Sequence, residues 1–369
     1  MRSFDVRVSG AGIVGKTLAL ALSRLGLSVA LRGDPAGAAA RADVRAYALS
    51  PASVALLRRL KVWDALEKDA YTAVHDMLVR GDAKGATLEF SAWEQRVGEL
   101  AFITDAAALE HQLAEALRFA PHVSVSDEDA PATLLAHCEG RAAAALRSLD
   151  AGFEQRAYGQ NAIAARLVAS RPHAHVAHQW FRSPDVLALL PFARPEPGRS
   201  YALVWSLPKA RADALLAADA AEFEAELALA TGGEAGTLRL ASERAGWPLL
   251  LGGAKRWCGP GWVLLGDAAH VVHPLAGQGL NLGLADVAAL VGVIEQREPW
   301  RRLGDERLLR RYVRQRAAPT WTMLRITDGL QRLFSEPAAP IRELRNNGMT
   351  LVNRVSPLKR WLTARALDS

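Results

Sequence analysis

Cysteine is almost missing: Cys138 and Cys258 are the 2 in a chain of 369 residues. They provide no disulfide framework and no CxxC spacing, so a reducing cytoplasm is the expected compartment. No His/Cys/carboxylate cluster has ligand spacing, so no metal is expected. No uninterrupted apolar run reaches transmembrane length. A strand pattern starts by Phe4 with no cleavage-type segment before it, so no signal peptide is expected. Charge of either sign is in small excess only, 45 Lys and Arg against 39 Asp and Glu for a net of +6. Much of that excess is arginine from Arg301 to Arg316, which is either a solvated helix face or an attraction for anionic lipid or nucleic acid. Zinc-finger, basic-zipper and RNA-binding signatures are all absent, so nucleic acid is not an expected partner.

What is present is apolar and globular. Half the residues are hydrophobic and 23% are charged, enough chain for one large domain or two interlocked ones. The most informative stretch is Gly266-Asp267-Ala268-Ala269-His270, followed by His273-Pro274-Leu275-Ala276-Gly277-Gln278-Gly279-Leu280-Asn281. It follows the apolar strand pattern Trp262–Leu265 and runs into a helical pattern beginning near Leu280. An Asp at a strand end can accept hydrogen bonds from ribityl hydroxyls. Glycines without a Cβ let the backbone approach a ring, and a helix N-terminus favours negative charge. A flavin has all three needs; the plainer alternative is an ordinary strand-to-helix turn.

At the N-terminus, Asp5–Ser9 alternates like a strand. Gly10-Ala11-Gly12-Ile13-Val14-Gly15 follows, then helical spacing through Leu18, Leu22 and Leu25, then a second strand at Gly26–Leu31. This is a βαβ unit with GxGxxG in its first turn, a cradle for a pyrophosphate. The same residues, ending Gly15-Lys16-Thr17, also satisfy the P-loop formula. Large apolar Ile13 and Val14 suit the first turn of a packed helix better than a phosphate wrap, and no Walker B strand is evident. A nucleotide triphosphatase is therefore the minor reading. The acid that binds the adenosine ribose is missing from its place, which holds Arg32-Gly33; Asp34 comes one residue late, and either it substitutes as the cofactor-binding acid or the ribose contact is absent.

Asp43-Val44-Arg45-Ala46-Tyr47-Ala48-Leu49-Ser50 lies between the second strand and a helix ending near Trp63. With GxGxxG upstream and Gly266-Asp267 downstream, the chain resembles the ubiquinone-biosynthesis hydroxylases, FAD-dependent aromatic monooxygenases related to p-hydroxybenzoate hydroxylase. The resemblance runs through Tyr158-Gly159-Gln160, His178-Gln179-Trp180-Phe181, Val204-Trp205-Ser206, Tyr312–Arg316 and the Pro357-Leu358-Lys359 tail, nearly the whole chain. It implies an α/β fold: a Rossmann-like FAD-binding domain interleaved with a mainly antiparallel substrate sheet, plus C-terminal helices. The expected division is 1–75, 100–155 and 255–300 for FAD, 76–99 and 156–254 for substrate, and 301–369 for the helical region. It also implies that Gly10, Gly12 and Gly15 hold the pyrophosphate and that Arg45 reaches the FAD. Asp267 then binds the ribityl or diphosphate side, Pro274 lines the ring, and Gly277, Gln278, Gly279, Leu280 and Asn281 face its N1, C2=O and N3 edge. His270 and His273 are expected to be structural.

The implied reaction uses NAD(P)H and O2 to hydroxylate a phenol-like ring, with a polyprenylphenol of ubiquinone biosynthesis as substrate. A flavin-poor paralogue serving as a non-catalytic subunit of a quinone-biosynthesis assembly, and a catabolic phenol-type hydroxylase, are the alternatives. No catalytic base is readable: Tyr158, His178 and Gln179 are candidates only. Trp180, Phe181 and Trp205 either line the substrate pocket or fill core. The chain departs from the family where an Asp-Gly motif is expected. Cys138-Glu139-Gly140-Arg141 stands there, with Arg147 one residue late, and the preceding segment has room for little more than the strand His122–Ser126. The ring end of the FAD site is therefore expected intact and the adenosine end eroded. Alternation across Asn161–Ser170, His175–Phe181, Val186–Phe192 and Tyr201–Ser206 predicts antiparallel strands, and a helix is expected near Ala210–Ala230. Leu344–Leu367 mixes Trp361 and leucines with arginines, and is either a basic amphipathic helix at the inner membrane face or a helix docked on its own domain. Peripheral membrane contact and a quinone-biosynthesis complex are the expected associations, and oligomeric state is unknown.

Overall fold

A computed structural model describes residues 3–33, 43–81, 86–126, 129–139, 149, 151–272 and 278–335. Val6 and Val8, both fully buried, make Phe4–Ser9 an interior strand, and Gly10 at φ +105° turns the chain into the helix Ile13–Arg24. That helix buries Leu18, Ala19 and Leu22 completely, because it has the sheet on one side and the helix Gln278–Glu295 on another. A Cβ on Gly283 would stand 2.7 Å from Val14 Cγ2, so a glycine lets the two helices approach.

These elements belong to a six-stranded sheet. Its order is Cys258–Gly259, Trp262–Leu264, Ala132–His137, Phe4–Ser9, Val29–Arg32, Val123–Val125. The last five run parallel, and Cys258–Gly259 is an antiparallel edge. Parallel strands covered on both faces read as apolar runs rather than alternations, as Trp262-Val263-Leu264 does. The short segment before Glu139 holds two strands, not one. Val123–Val125 is the edge, and Ala132–His137 lies beside Phe4–Ser9 in the middle of the sheet. Leu134 and Ala136 are its fully buried residues, too few for an alternation to stand out in sequence.

After Ala151 the chain builds a second, nine-stranded sheet. Phe153–Ala169 pairs antiparallel with Ser200–Pro208 and with Ala245–Ala254, and Asp185–Phe192 and Val176–Arg182 follow in order. Asp76–Arg80 joins this sheet parallel to Val176–Arg182 and carries Thr87–Ser91 on its outer edge. The four strands expected from alternation are all present and antiparallel. The expected helix near Ala210–Ala230 is two helices, Lys209–Ala217 and Ala220–Thr231. Asp219 breaks it: its carboxylate accepts a 2.8 Å hydrogen bond from Glu222 N and caps the second helix. Both cover one face of the large sheet over a core that includes Ile163, Leu187, Trp205 and Leu227.

A three-stranded sheet, Ala46–Leu49, Ala101–Asp105 and Tyr71–Val74, packs Val74 and Ile103 against Phe192 and Ala202 of the large sheet. The helix Glu306–Ser335 lies on Gln278–Glu295. This is an α/β fold with a Rossmann-like parallel sheet interleaved with a mainly antiparallel one. No helix among the described residues is long and apolar enough to cross a membrane.

Candidate cofactor and substrate cleft

The C-terminal ends of the parallel strands open on one edge, where ligands bind in such sheets. Gly10, Gly33, Glu139 and Asp267 follow four of those strands, and all line one cleft of about 1140 Å³. Its other wall is the face of the large sheet opposite the two helices, where the three-stranded sheet covers only part of it.

The glycine turn is shaped for a phosphate. A Cβ on Gly10 would lie 2.6 Å from the Cys138 carbonyl carbon, and one on Gly15 would lie 1.8 Å from Gly10 O. Those two glycines close the turn tightly on the neighbouring strand. A Cβ on Gly12 would meet nothing within 4 Å. Gly12 is also the helix N-cap without a capping side chain, so first-turn N–H groups face the cleft with the positive dipole end behind them. Lys16 and Thr17, the P-loop pair, point elsewhere. Lys16 is 1% exposed with Nζ 3.5 Å from Glu110 Oε2, and Thr17 Oγ1 donates 2.6 Å to Ile13 O. Both belong to the packed helix, so the triphosphatase reading has no lysine to offer a phosphate.

Arg45 lines the same end and forks onto Asp43, with Nε–Oδ1 2.9 Å and Nη2–Oδ2 2.6 Å. That hydrogen bond holds the guanidinium above its ordinary value, against the opposing effect of burial. Burial alone would raise the Asp43 carboxyl, but Arg45 and the more distant Arg166 hold it below its usual range. Burial also pushes the Tyr47 phenol up to about 12, against the pull of Arg45. Arg32 and Gly33 line the cleft at the end of the second strand, and Arg32 Nη1 is 3.2 Å from Asp129.

The large-sheet half differs chemically. Gln179, Ala188, Val204, Ala164 and Ala245 are successive cross-strand partners, and all five line the cleft. They form one uncharged row across five strands, three of its five residues alanine. Among the described residues, none of the charged lining residues, Arg32, Asp43, Arg45, Glu110, Glu139 and Asp267, belongs to the large sheet.

Residues 94–327 match the family described as an FAD binding domain. Ubiquinone hydroxylase UbiL of Rhodospirillum rubrum is 32% identical, over 99% of this chain and 90% of its own. The chain belongs to the ubiquinone-biosynthesis FAD-dependent hydroxylases. The 3-demethoxyubiquinol 3-hydroxylase of Escherichia coli is 29% identical over 98% of both chains. In fold, p-nitrophenol 4-monooxygenase PnpA from Pseudomonas putida superposes with a TM-score of 0.74 at 17% identity, over 100% of this chain and 99% of that one. The hydroxylase is thus an FAD-dependent monooxygenase of the p-hydroxybenzoate hydroxylase fold, with NAD(P)H as the family's co-substrate and a small aromatic molecule as substrate. The residues present fit FAD: a glycine turn open at Gly12 and closed at Gly10 and Gly15, in a cleft long enough to continue past Asp267 to Gly279.

The structure gathers Gly10, Gly12, Arg45, Asp267, Gly279 and Leu280 in the cleft. Gly15 stands behind the turn. Asn281 faces away at 2% exposure. Its side chain accepts from Ser50 N at 2.9 Å and Ser53 Oγ at 2.8 Å and donates to Ala48 O at 2.8 Å, tying the helix start to the Ala46–Leu49 strand. Asp34, His273, Pro274, Gly277, Gly140, Arg141 and Arg147 lie outside the described residues, as does the side chain of Gln278. Of the three residues considered as a base, Gln179 lines the cleft. His178 stacks on Trp180, 5.5 Å between centroids, and Tyr158 donates to Asp328 at 3.2 Å. Trp180 and Trp205 are core residues under the two helices, on the face opposite the cleft, and Phe181 packs with Val79 and Val186. Period-2 alternation does not say which face meets the ligand.

Sequence reasoning missed Glu110, whose helix Ala106–Arg118 brings it to the cleft, and the Ala164, Ala188 and Ala245 floor. It also missed Asp286, though a lone acid in the apolar run Leu280–Ile294 was a visible signal.

Proposed function

We propose that this hydroxylase places one oxygen atom of O2 on the ring of a polyprenylphenol, an intermediate of ubiquinone biosynthesis. The observation that carries the proposal is the uncharged, alanine-floored half of the cleft. A carboxylated phenol brings an anion that needs a cationic partner when desolvated, and among the described residues no cation of the large sheet lines the cleft. An apolar tail gains about 25 cal/mol for each Å² it buries there. The curated relatives named above are hydroxylases of ubiquinone and demethoxyubiquinol, consistent with such a ring.

In this reading Gly10, Gly12 and Gly15 shape the pyrophosphate cradle, and first-turn N–H groups donate to its oxygens. Arg45, its charge shared with Asp43, supplies a cation beside them. Asp267 accepts hydrogen bonds from ribityl hydroxyls. Pro274 and Gly277–Leu280 line the ring edge, Asn281 anchors the helix start behind them, and the N-terminus of Gln278–Glu295 favours negative charge on the ring's N1–C2=O side. Bound FAD supplies the redox chemistry, taking a hydride from NAD(P)H and activating O2. The chain supplies position and a dry wall. Val204, Leu190 and the alanines exclude water from the phenol ring, and Gln179 offers a polar side chain in the row. The FAD-binding part is taken as 1–75, 100–155 and 255–300, the substrate part as 76–99 and 156–254, and the rest as helical. A membrane-borne substrate fits a protein that works from the cytoplasm against the inner membrane face, alone or within a quinone-biosynthesis complex.

The test compares a prenylphenol with the same ring bearing a carboxylate, following NAD(P)H oxidation and the mass of the product. The proposal expects a gain of one oxygen on the uncharged substrate and little turnover of the acid. Equal or better turnover of the carboxylated ring overturns it.

A further inference from the structure

Behind the cleft wall lies a buried charged cluster that the reading above does not use. Asp286 is 0% exposed, in a helix whose neighbouring positions are apolar. Its Oδ2 accepts from Gly266 N at 3.0 Å and pairs with His270 Nε2 at 2.7 Å. Its Oδ1 accepts from Arg316 Nε at 2.8 Å, and Arg316 also reaches Leu282 O at 3.3 Å. The carboxylate therefore holds both ends of the segment Gly266–His270, while Asp267 between them is exposed in the cleft wall. Gly266 sits at φ +58°, a left-handed conformation open to glycine, and its N–H is turned to the carboxylate. Arg316 comes from the helix Glu306–Ser335, so the third arm of the clamp belongs to the C-terminal part of the chain.

Burial alone would raise the Asp286 carboxyl, but His270 and Arg316 hold it below its ordinary value, so it stays an acceptor on all three sides. A buried ion cluster is seldom more stable than apolar side chains of the same volume. Stability is therefore a poor reason for an acid here. The geometry points to placement of the residue beside it.

We propose that Asp286 is a positioning residue for the cofactor: its clamp on Gly266 and His270 aims Asp267 into the cleft, and Arg316 ties that aim to the docking of the Glu306–Ser335 helix. This rests on the FAD reading of the cleft. It predicts two distinct consequences along one ligand. The part of FAD near Asp267 feels the clamp, whereas the ADP part at Gly10–Gly15 does not.

The experiment titrates the apoprotein with FAD and, separately, with ADP, in the wild type, Asp286→Asn and Arg316→Met. Asparagine keeps the shape of Asp286 but cannot accept from all three partners. Both variants should bind FAD on the order of tenfold to a hundredfold more weakly, with ADP affinity unchanged and the absorption bands of bound flavin shifted. Unchanged FAD affinity overturns the proposal. So does an equal fall in FAD and ADP affinity, or failure of both variants to fold, since each shows a role in the whole fold. A wild type that binds ADP but no FAD defeats the underlying flavin reading instead, and the proposal with it.

Discussion

Gly12→Ala separates folding from cofactor binding. Gly12 has φ −78°, which alanine adopts without strain, and its Cβ would meet no protein atom within 4 Å. At an N-cap the exchange costs about 0.5–1 kcal/mol of helix stability, small for a chain of this size. The new methyl instead projects into the cleft, where the turn's N–H groups meet the pyrophosphate. Displacing one such charge-assisted hydrogen bond costs about 1.5–3 kcal/mol, or roughly 10- to 150-fold in the FAD dissociation constant. Fluorescence titration of the apoprotein measures that constant, and a thermal melt of the same sample measures stability. Gly15→Ala is the contrasting control: its Cβ would lie 1.8 Å from Gly10 O, so it should lower the melting temperature before any ligand is added. If Gly12→Ala folds and binds FAD as tightly as the wild type, the pyrophosphate is not at this turn.

Ala188→Phe fills the middle of the cross-strand row, so kcat/KM for a prenylphenol should fall at least tenfold with FAD affinity unchanged; steady-state kinetics beside FAD titration check it. Stability should decline on acidification. Burial, with help from Arg7 and Arg32 at His137 and from His175 at His173, holds both imidazoles down to about 4. A histidine lowered on folding adds stability that is fully present above its unfolded value near 6.5 and lost as pH falls toward 4, up to about 3 kcal/mol each. Asp185, raised to about 6 by burial, works in the opposite direction between 3.8 and 6 and removes part of that slope. Calorimetry should therefore give a lower melting temperature at pH about 5 than at about 7.5, and equal or higher values contradict it. Lys16→Ala should lower the melting temperature by leaving Glu110 unpaired, while wild type and variant alike release no phosphate from ATP.

Much of the architecture was legible because each element carried its own local signal. Gly10, Gly12 and Gly15 between a strand and a helix announced the βαβ unit, and strict alternation gave the four antiparallel strands. The Ala132–His137 strand went unseen because a short, buried parallel strand has no period-2 pattern. Asp219 was read through as helix interior although Asp is a strong N-cap. At the cleft, Gly10 sits at a positive φ that its type requires, and Gly12 and Gly279 line the wall. Side chains whose role depends on partners far along the chain were not legible. Asn281 bonds to Ala48, Ser50 and Ser53, more than two hundred positions away, and Asp286 meets Arg316 on a different helix. Which face of a strand meets the ligand is likewise set by packing, and so Trp180 and Trp205 went to the core while Ala164 and Ala188 received the cleft.

In the function proposed, one cleft holds FAD at its charged end and an uncharged phenol at its alanine-lined end. The most direct measurement is the visible spectrum of the purified protein, before and after adding FAD, then NAD(P)H and a prenylphenol under air. The expected result is the two-banded absorption of oxidised flavin, bound or restored by added FAD, its bleaching by NAD(P)H, and its return as the phenol gains one oxygen. A colourless protein that takes up no FAD on titration contradicts it.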